Sequence, residues 1–425
     1  MSKILGVDTS TIDNISGLGT GSGGIAAVPA TTDTGIVVCP MNSAAYGPFS
    51  KAELAEYSNL AHMFQLSDMT GVAKLFYNTS NWGVLKTNGE FHIGGWGNAS
   101  YMGLSSSAAS AAIANGGLTL SLSGVSKISP ASHGWFAIKT NGEMWYAGYN
   151  APYFTATQAS NTWRQLSVGA DDWYDIAAYP ANPYQVIAIK GAAGSRYLYA
   201  SGRGNNYGTG QGSTSTLSAF TRVKSSAGTD LAESMSMVKI SYSSCLAISD
   251  SGKLYTWGDN PNKQLGSGNT TDKQYATQIP NDPEDWNDCW ISRFGGWAKN
   301  TSGEMFLSTS NTSWRVQSST GGTFSQVGSD TDFEDLALQS QTSASMGYIV
   351  FAKKGGVWHV SFANYTQIPA GGWAGEAAVS VPSGTAFVTV NSILQANDIT
   401  GTVDYLLPYV SSAANNNTGL MLALS

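Results

Sequence analysis

The sequence predicts an all-β protein, a β-propeller of six to seven blades with a short N-terminal arm and one short helix. Three observations predict it: a hairpin pattern recurs at a nearly constant interval, turn-forming residues crowd the stretches between apolar runs, and aromatics are plentiful where charge is scarce. Only 12% of the 425 residues are charged, and there are 49 Gly, 13 Trp and 20 Tyr; ordinary domains carry roughly 25% charged residues. Such a chain can bury large side chains between tightly turned strands, whereas a disordered chain lacks the aromatics to do so.

The first element is residues 1–35, where Ile4, Val7, Ile12, Ile15 and Leu18 stand among small residues at a spacing that fits neither helix nor strand. Too little can be buried there by the segment alone, so those five residues are expected to anchor an extended arm on a partner. Residues 36–425 are assigned to the propeller. GIVVC from Gly35 reads as a short buried strand. Ser50 and Glu53 form an S-x-x-E capping box ahead of Leu54, Tyr57, Leu60 and Ala61, which predicts the one helix.

The repeats follow, recognisable over about residues 70–365. Hairpins are predicted within Asn81–Leu104, Gly134–Phe154, Tyr184–Gly210, Cys245–Gly268, Gly296–Trp314 and Tyr348–Ala363. Their turn glycines, Gly89, Gly142, Gly194, Gly252, Gly303 and Gly355, lie 53, 52, 58, 51 and 52 residues apart. A period near fifty accommodates a four-stranded blade. Each hairpin is expected to be the inner half of its blade, with weaker stretches such as VSKISPASH and MVKISYSS adding a strand. In the fourth hairpin, Leu254 and Thr256 should face one side and Tyr255 and Trp257 the other. GIVVCP near the start, and TAFVTVNSILQANDI and DYLLPYV near the end, could build a seventh blade; pairing the two ends would remove exposed sheet edges. The apolar tail to Ser425 is expected to dock on this chain or a neighbour.

The fourth unit resembles the repeat of the regulator-of-chromosome-condensation propellers at Ala247, Ile248, Gly252, Leu254, Tyr255, Trp257, Gly258, Asn260, Gln264, Leu265 and Gly266. Looser copies stand at Trp96-Gly97-Asn98, Met102-Gly103-Leu104, Gly202, Asn205 and Gly208. The resemblance implies a seven-bladed propeller, a fold used widely as a binding platform. Founding members of that family act on a small GTPase at chromatin and carry basic tails, which this sequence lacks. Its opening, KILGVDTSTIDNISGLGTGSGG, resembles instead the start of tailed-bacteriophage structural proteins.

Composition and motifs exclude several chemistries. Net charge is −7 and the 21 Lys and Arg form no runs, so no nucleic-acid footprint is expected. No apolar stretch has the length of a membrane span, and Asp8 and Asp13 interrupt any signal-like core. Cys39, Cys245 and Cys289 are far apart and read as buried free thiols. His62, His92, His133 and His359 show no zinc spacing, and no nucleophile elbow or P-loop occurs. GRGNNYGTGQG (202–212) reads as a repeat loop. The acidic stretches Asp282–Asp288 and Asp171–Asp175 read as solvated connections, without the carboxylate pair of a glycosidase. No catalytic, metal or cofactor residue is assigned.

Trp96, Trp145, Trp257 and Trp358 belong to repeats and are expected in the core. Trp163, Trp173, Tyr174, Trp286 and Trp314 lie between hairpins and are the expected surface-contact residues, because rigid aromatics make good anchors. The expectation is a non-enzymatic structural component of a tailed-phage virion (tail, fibre, neck or a decoration protein of the capsid surface), made in the host cytoplasm. Its propeller would dock other virion proteins and copies of itself, and could also contact a host surface glycan or receptor. The alternatives are a cellular regulator that binds a GTPase or another protein, and a carbohydrate-active propeller.

Overall fold

The computed structural model describes residues 28–29, 35–40, 64–67, 69–78, 81–95, 104, 118–131, 134–148, 160–166, 171–179, 185–310, 321–338, 349–362, 388–389, 402–412 and 417–424. Six antiparallel four-stranded sheets follow one another along the chain. Their innermost strands are Val72–Tyr77, Val125–Ala131, Trp173–Ala178, Met235–Ser241, Trp286–Ser292 and Phe333–Leu338. A seventh sheet of five strands joins the two ends of the chain. It runs Val28–Pro29, Phe64–Ser67, Gly35–Pro40, Asn417–Leu424 and Val403–Ser412 in spatial order. Val403–Ser412 lies against the innermost strands of both the sixth and the first blade, so this sheet closes the ring. Strands from the two termini pair directly, Val37 with Leu422 and Cys39 with Leu420. The tail thus docks on its own chain. Val28, Pro29 and Gly35, assigned on sequence to the arm, belong to this sheet.

One placement differs from the sequence expectation. The hairpins are the second and third strands of each blade, not its inner half; the weaker stretches supply the strand nearest the axis. The reason is packing. The middle strands are covered on both sides by neighbouring blades and read as strong apolar runs, such as the wholly buried Ser244–Ser249 and Leu254–Gly258. The innermost strands have one edge on a channel and tolerate polar residues. The helix predicted at 50–61, the arm residues Ile4, Val7, Ile12, Ile15 and Leu18, and Trp96, His62, His133 and Trp314 lie outside the described residues.

Two rules repeat from blade to blade. A small residue in the second strand opposes a bulky one in the third: Ala137 with Trp145, Ala188 with Tyr199, Ala247 with Tyr255, Ala298 with Phe306, Ala352 with His359. Such pairs fill the space between pleated strands without voids. The hairpin turn then reaches to the next blade. Gly89, Gly142, Gly252 and Gly303 have φ near +80°, a conformation glycine adopts without steric cost. Their carbonyls accept hydrogen bonds from the N–H groups of Val125, Trp173, Trp286 and Phe333 at 2.9–3.1 Å, each the first residue of the following blade's innermost strand. Between blades lie apolar clusters. Leu254 packs with Trp286, Cys289 and Ala298 of the fifth blade, while Tyr255 and Trp257 pack toward Ile187, Leu198 and Ala200 of the third. The alternation expected along this strand is therefore present.

Candidate functional site: two faces and a central channel

A propeller offers a partner two faces and a channel, and the sequence distributes charge unevenly among them. The face bearing the hairpin turns collects Glu90, Glu143, Asp171, Asp172, Glu233, Asp250, Asp282, Glu284, Asp285, Glu304, Asp330, Asp332 and Glu334. Lys86, Lys139, Lys190, Arg196, Lys253 and Lys354 share it. Lys299, which donates to the Glu334 carbonyl at 2.8 Å, and Arg222, 3.8 Å from the Tyr197 ring centre, stand at the same end; among the described residues the carboxylates still outnumber the cations there. Several pair locally: Arg196 with Asp250 at 2.7 Å, Lys253 with Glu233 at 2.9 Å, Lys190 with Asp172 at 3.4 Å. Others build the turn itself. Asp282 accepts from the Leu254 N–H and from Trp286 Nε1, both at 2.8 Å. Asp171, Asp172, Asp332 and Glu334 are exposed. On the opposite face the described residues carry Arg203, Lys263, Lys273 and Arg293 against Asp259 and Asp272, so the molecule is polar along its axis.

The expected contact residues divide. Tyr174 is 40% exposed on the turn face, with the Arg196 guanidinium 4.0 Å from its ring centre. Trp163 is half-buried and donates from Nε1 to Ser121 at 2.9 Å. Trp173 and Trp286 are core residues, 4% and 3% exposed, which corrects their assignment to the surface. Each opens an innermost strand, where Val125, Met235 and Phe333 stand in other blades, and each fills the gap to the preceding blade. The spacing from turn glycine to this position varies with the outer strand and connection, which hid the equivalence. Trp257 and Trp358 are buried, as expected of repeat residues.

The glycine-rich loop at 202–212 serves the interblade joint. The Gly208 carbonyl accepts from Trp257 Nε1 at 2.8 Å and from the Cys245 thiol at 3.5 Å. Burial pushes the Cys245 thiol up in pKa, as expected of an inert core thiol. Among the described residues no group of three or more His, Cys, Asp or Glu is placed to hold a metal ion, and no helix is long and apolar enough to cross a membrane.

The channel was not foreseen. A cavity of about 530 Å³ is lined by all seven innermost strands. Each strand except the fourth and seventh places a charged residue two positions after its first, just past a register shift: Lys74, Lys127, Asp175, Asp288 and Asp335, with Met237 and Tyr405 completing the set. Lys239 projects from the fourth blade one pleat further on. Lys127 and Asp175 are 4.0 Å apart. Lys239 lowers the pKa of Lys74, and protein surrounding the channel adds to the effect. The same enclosure opposes the charge of Lys239, but Asp175 and Asp288 outweigh it and hold that lysine above its ordinary value. Enclosure also raises Asp288, against the pull of Lys239.

Comparison with known proteins agrees with this architecture. Residues 251–296 match the family model of the regulator of chromosome condensation (RCC1) repeat. A search of curated proteins finds no match. Among solved structures, human WBSCR16 is similar with a TM-score of 0.61 and 11% identity, covering 93% of this chain and 100% of that one. Prp20p from Saccharomyces cerevisiae, whose structure was described with its binding properties to Gsp1p and histones, has a TM-score of 0.60 at 9% identity, covering 100% and 96%. The yeast RCC1 (Prp20) structure with Kap60 bound gives 0.60 at 10% identity, covering 96% and 94%. At these identities the likeness is one of fold. The chain carries one recognisable RCC1 repeat within a propeller that shares the fold of Prp20p and WBSCR16.

Proposed function

We propose that this chain is a non-enzymatic docking platform, a structural component of a tailed-phage virion that binds other virion proteins through its acidic turn face. The observation that carries the docking reading is the excess of carboxylates over cations on one face of the ring among the described residues. A field of one sign steers a partner of opposite charge and fixes its orientation. The phage context rests on the resemblance of the opening residues, and residues 1–27 are proposed as the anchoring arm through Ile4, Val7, Ile12, Ile15 and Leu18. Tyr174, beside Arg196, would be the aromatic contact of the same face.

The test neutralises four exposed carboxylates together: Asp171→Asn, Asp172→Asn, Asp332→Asn and Glu334→Gln. Surface changes of this kind shift stability by within about 0.5 kcal/mol each, so the variant should fold. It is expected to be lost from purified particles when it replaces the natural chain during infection. Incorporation at the natural level would overturn the proposal. The RCC1 repeat favours a second reading, a cellular regulator with a protein partner, because Prp20p binds Gsp1p and histones. Stimulated nucleotide release from a purified small GTPase, and absence of the chain from particles, would decide for it.

A further inference from the structure

Two of the channel's three lysines stand outside any ion pair among the described residues. Its carboxylates Asp175 and Asp335, and Asp288 near Lys239, each accept one backbone hydrogen bond: Asp175 Oδ2 from the Val238 N–H at 3.1 Å, Asp288 Oδ1 from the Cys289 N–H at 2.9 Å, and Asp335 Oδ1 from the Leu336 N–H at 2.7 Å. Asp175 also takes the one close lysine, Lys127. The Lys74 and Lys239 ammoniums make no hydrogen bond and no ion pair within 4.0 Å among the described residues. The two are nevertheless close enough that Lys239 is the largest influence on Lys74. Two ammoniums that repel each other across one cavity form an arrangement that an anion placed between them would relieve. Tyr405 adds an aromatic wall and a hydroxyl, and Trp290 a second aromatic wall.

We propose that the central channel is a binding site for an oxyanion, free phosphate or the phosphate of a small molecule, held between Lys74 and Lys239. Charge-assisted hydrogen bonds to an oxyanion are about twice as strong as neutral ones. The cavity volume falls within the range of roughly 300–1,000 Å³ typical of small-molecule sites, so a phosphate has room to carry a substituent. The fixed carboxylates bound the charge that fits. Asp175, Asp288 and Asp335 match the three lysines in number, so the site suits one compact anionic group held between Lys74 and Lys239.

The experiment titrates the full chain with inorganic phosphate and, separately, with glucose 6-phosphate, at constant ionic strength in chloride, reading calorimetric heat and thermal midpoint. Saturable binding of either at millimolar concentration or below is expected; the tighter of the two identifies a free anion or a phosphorylated small molecule as the ligand. Lys74→Met and Lys239→Met should each lose at least about tenfold in affinity, roughly 1.4 kcal/mol. Lys273→Met, outside the channel, should bind as the natural chain does. Lys74→Met should also melt higher than the natural chain without phosphate, because it removes a cation repelled by Lys239. Lys74→Arg should retain binding. Absence of heat with both ligands, or affinity unchanged in both methionine variants, would overturn the site.

Discussion

Trp257 shows how a single residue ties this fold together. Its ring is wholly buried between the third and fourth blades, and its Nε1 donates to the Gly208 carbonyl at 2.8 Å. Replacing it by alanine should cost about 3–5 kcal/mol, the usual range for a buried aromatic. Trp257→Phe keeps most of the packing but leaves that carbonyl with only the weak Cys245 thiol, for about 1–3 kcal/mol. Equilibrium urea denaturation of the two variants would check both the size and the order. Trp257 could be read from sequence because its strand, turn and Gly258 recur in register. Trp173 and Trp286 could not, although they are as deeply buried. Their environment is set by the neighbouring blade's turn carbonyls, Gly142 and Gly252, and no local pattern announces a contact of that kind. Asp282 is similar: it sits in what reads as a solvated acidic run, yet it holds the Leu254 N–H and the Trp286 indole.

At the scale of the element, the middle strands were plainly legible, inner strands such as Val125–Ala131 and Met235–Ser241 only as weaker stretches, and the outer ones were not. Apolar periodicity reports burial, and only the middle pair is buried from both sides along its length. The inner strands carry Lys74, Lys127, Asp175 or Asp335 at the position where a core strand would carry valine. That substitution blurs the pattern and at the same time builds the channel. The closing sheet was legible only as two apolar ends in want of partners; the register that joins Gly35–Pro40 to Asn417–Leu424 is a property of the ring. That sheet is therefore the place where stability can be tested most directly. Ala423 is 1% exposed and packs with Ile36, Leu75, Trp82 and Val84 between the seventh sheet and the first blade. Ala423→Asp would bury an unpaired carboxylate, which costs several kcal/mol unless the group is neutralised or expelled. Opening of the ring would expose the edge strands and invite association. The expected outcome is a much lower denaturation midpoint with oligomers on size exclusion. A variant that unfolds at the natural midpoint would mean that the closure contributes little.

At the scale of the whole molecule, the ring separates two tasks that the sequence presents as one continuous text. Closure requires residues from Val28 onward: Val28–Pro29 pairs with Phe64–Ser67, and Gly35–Pro40 with Asn417–Leu424. Ile4, Val7, Ile12, Ile15 and Leu18 precede every strand of the closing sheet. If those five residues anchor the platform in a particle, folding and assembly are separable by one cut. Deleting residues 1–27 should leave the urea midpoint and the slope of the transition unchanged, since that slope follows the surface exposed on unfolding. The same deletion should reduce incorporation into particles as strongly as neutralising the turn face does. The two defects differ in their salt dependence. Loss of apolar anchors is insensitive to ionic strength, whereas attachment through the acidic face weakens as salt screens it over about 8–10 Å at physiological concentrations. Binding of purified chain to particles that lack it, measured across a salt series, would therefore assign each segment its share. A truncated chain that binds such particles at every salt concentration as the full chain does would remove the arm from the assembly and leave the acidic face as the attachment.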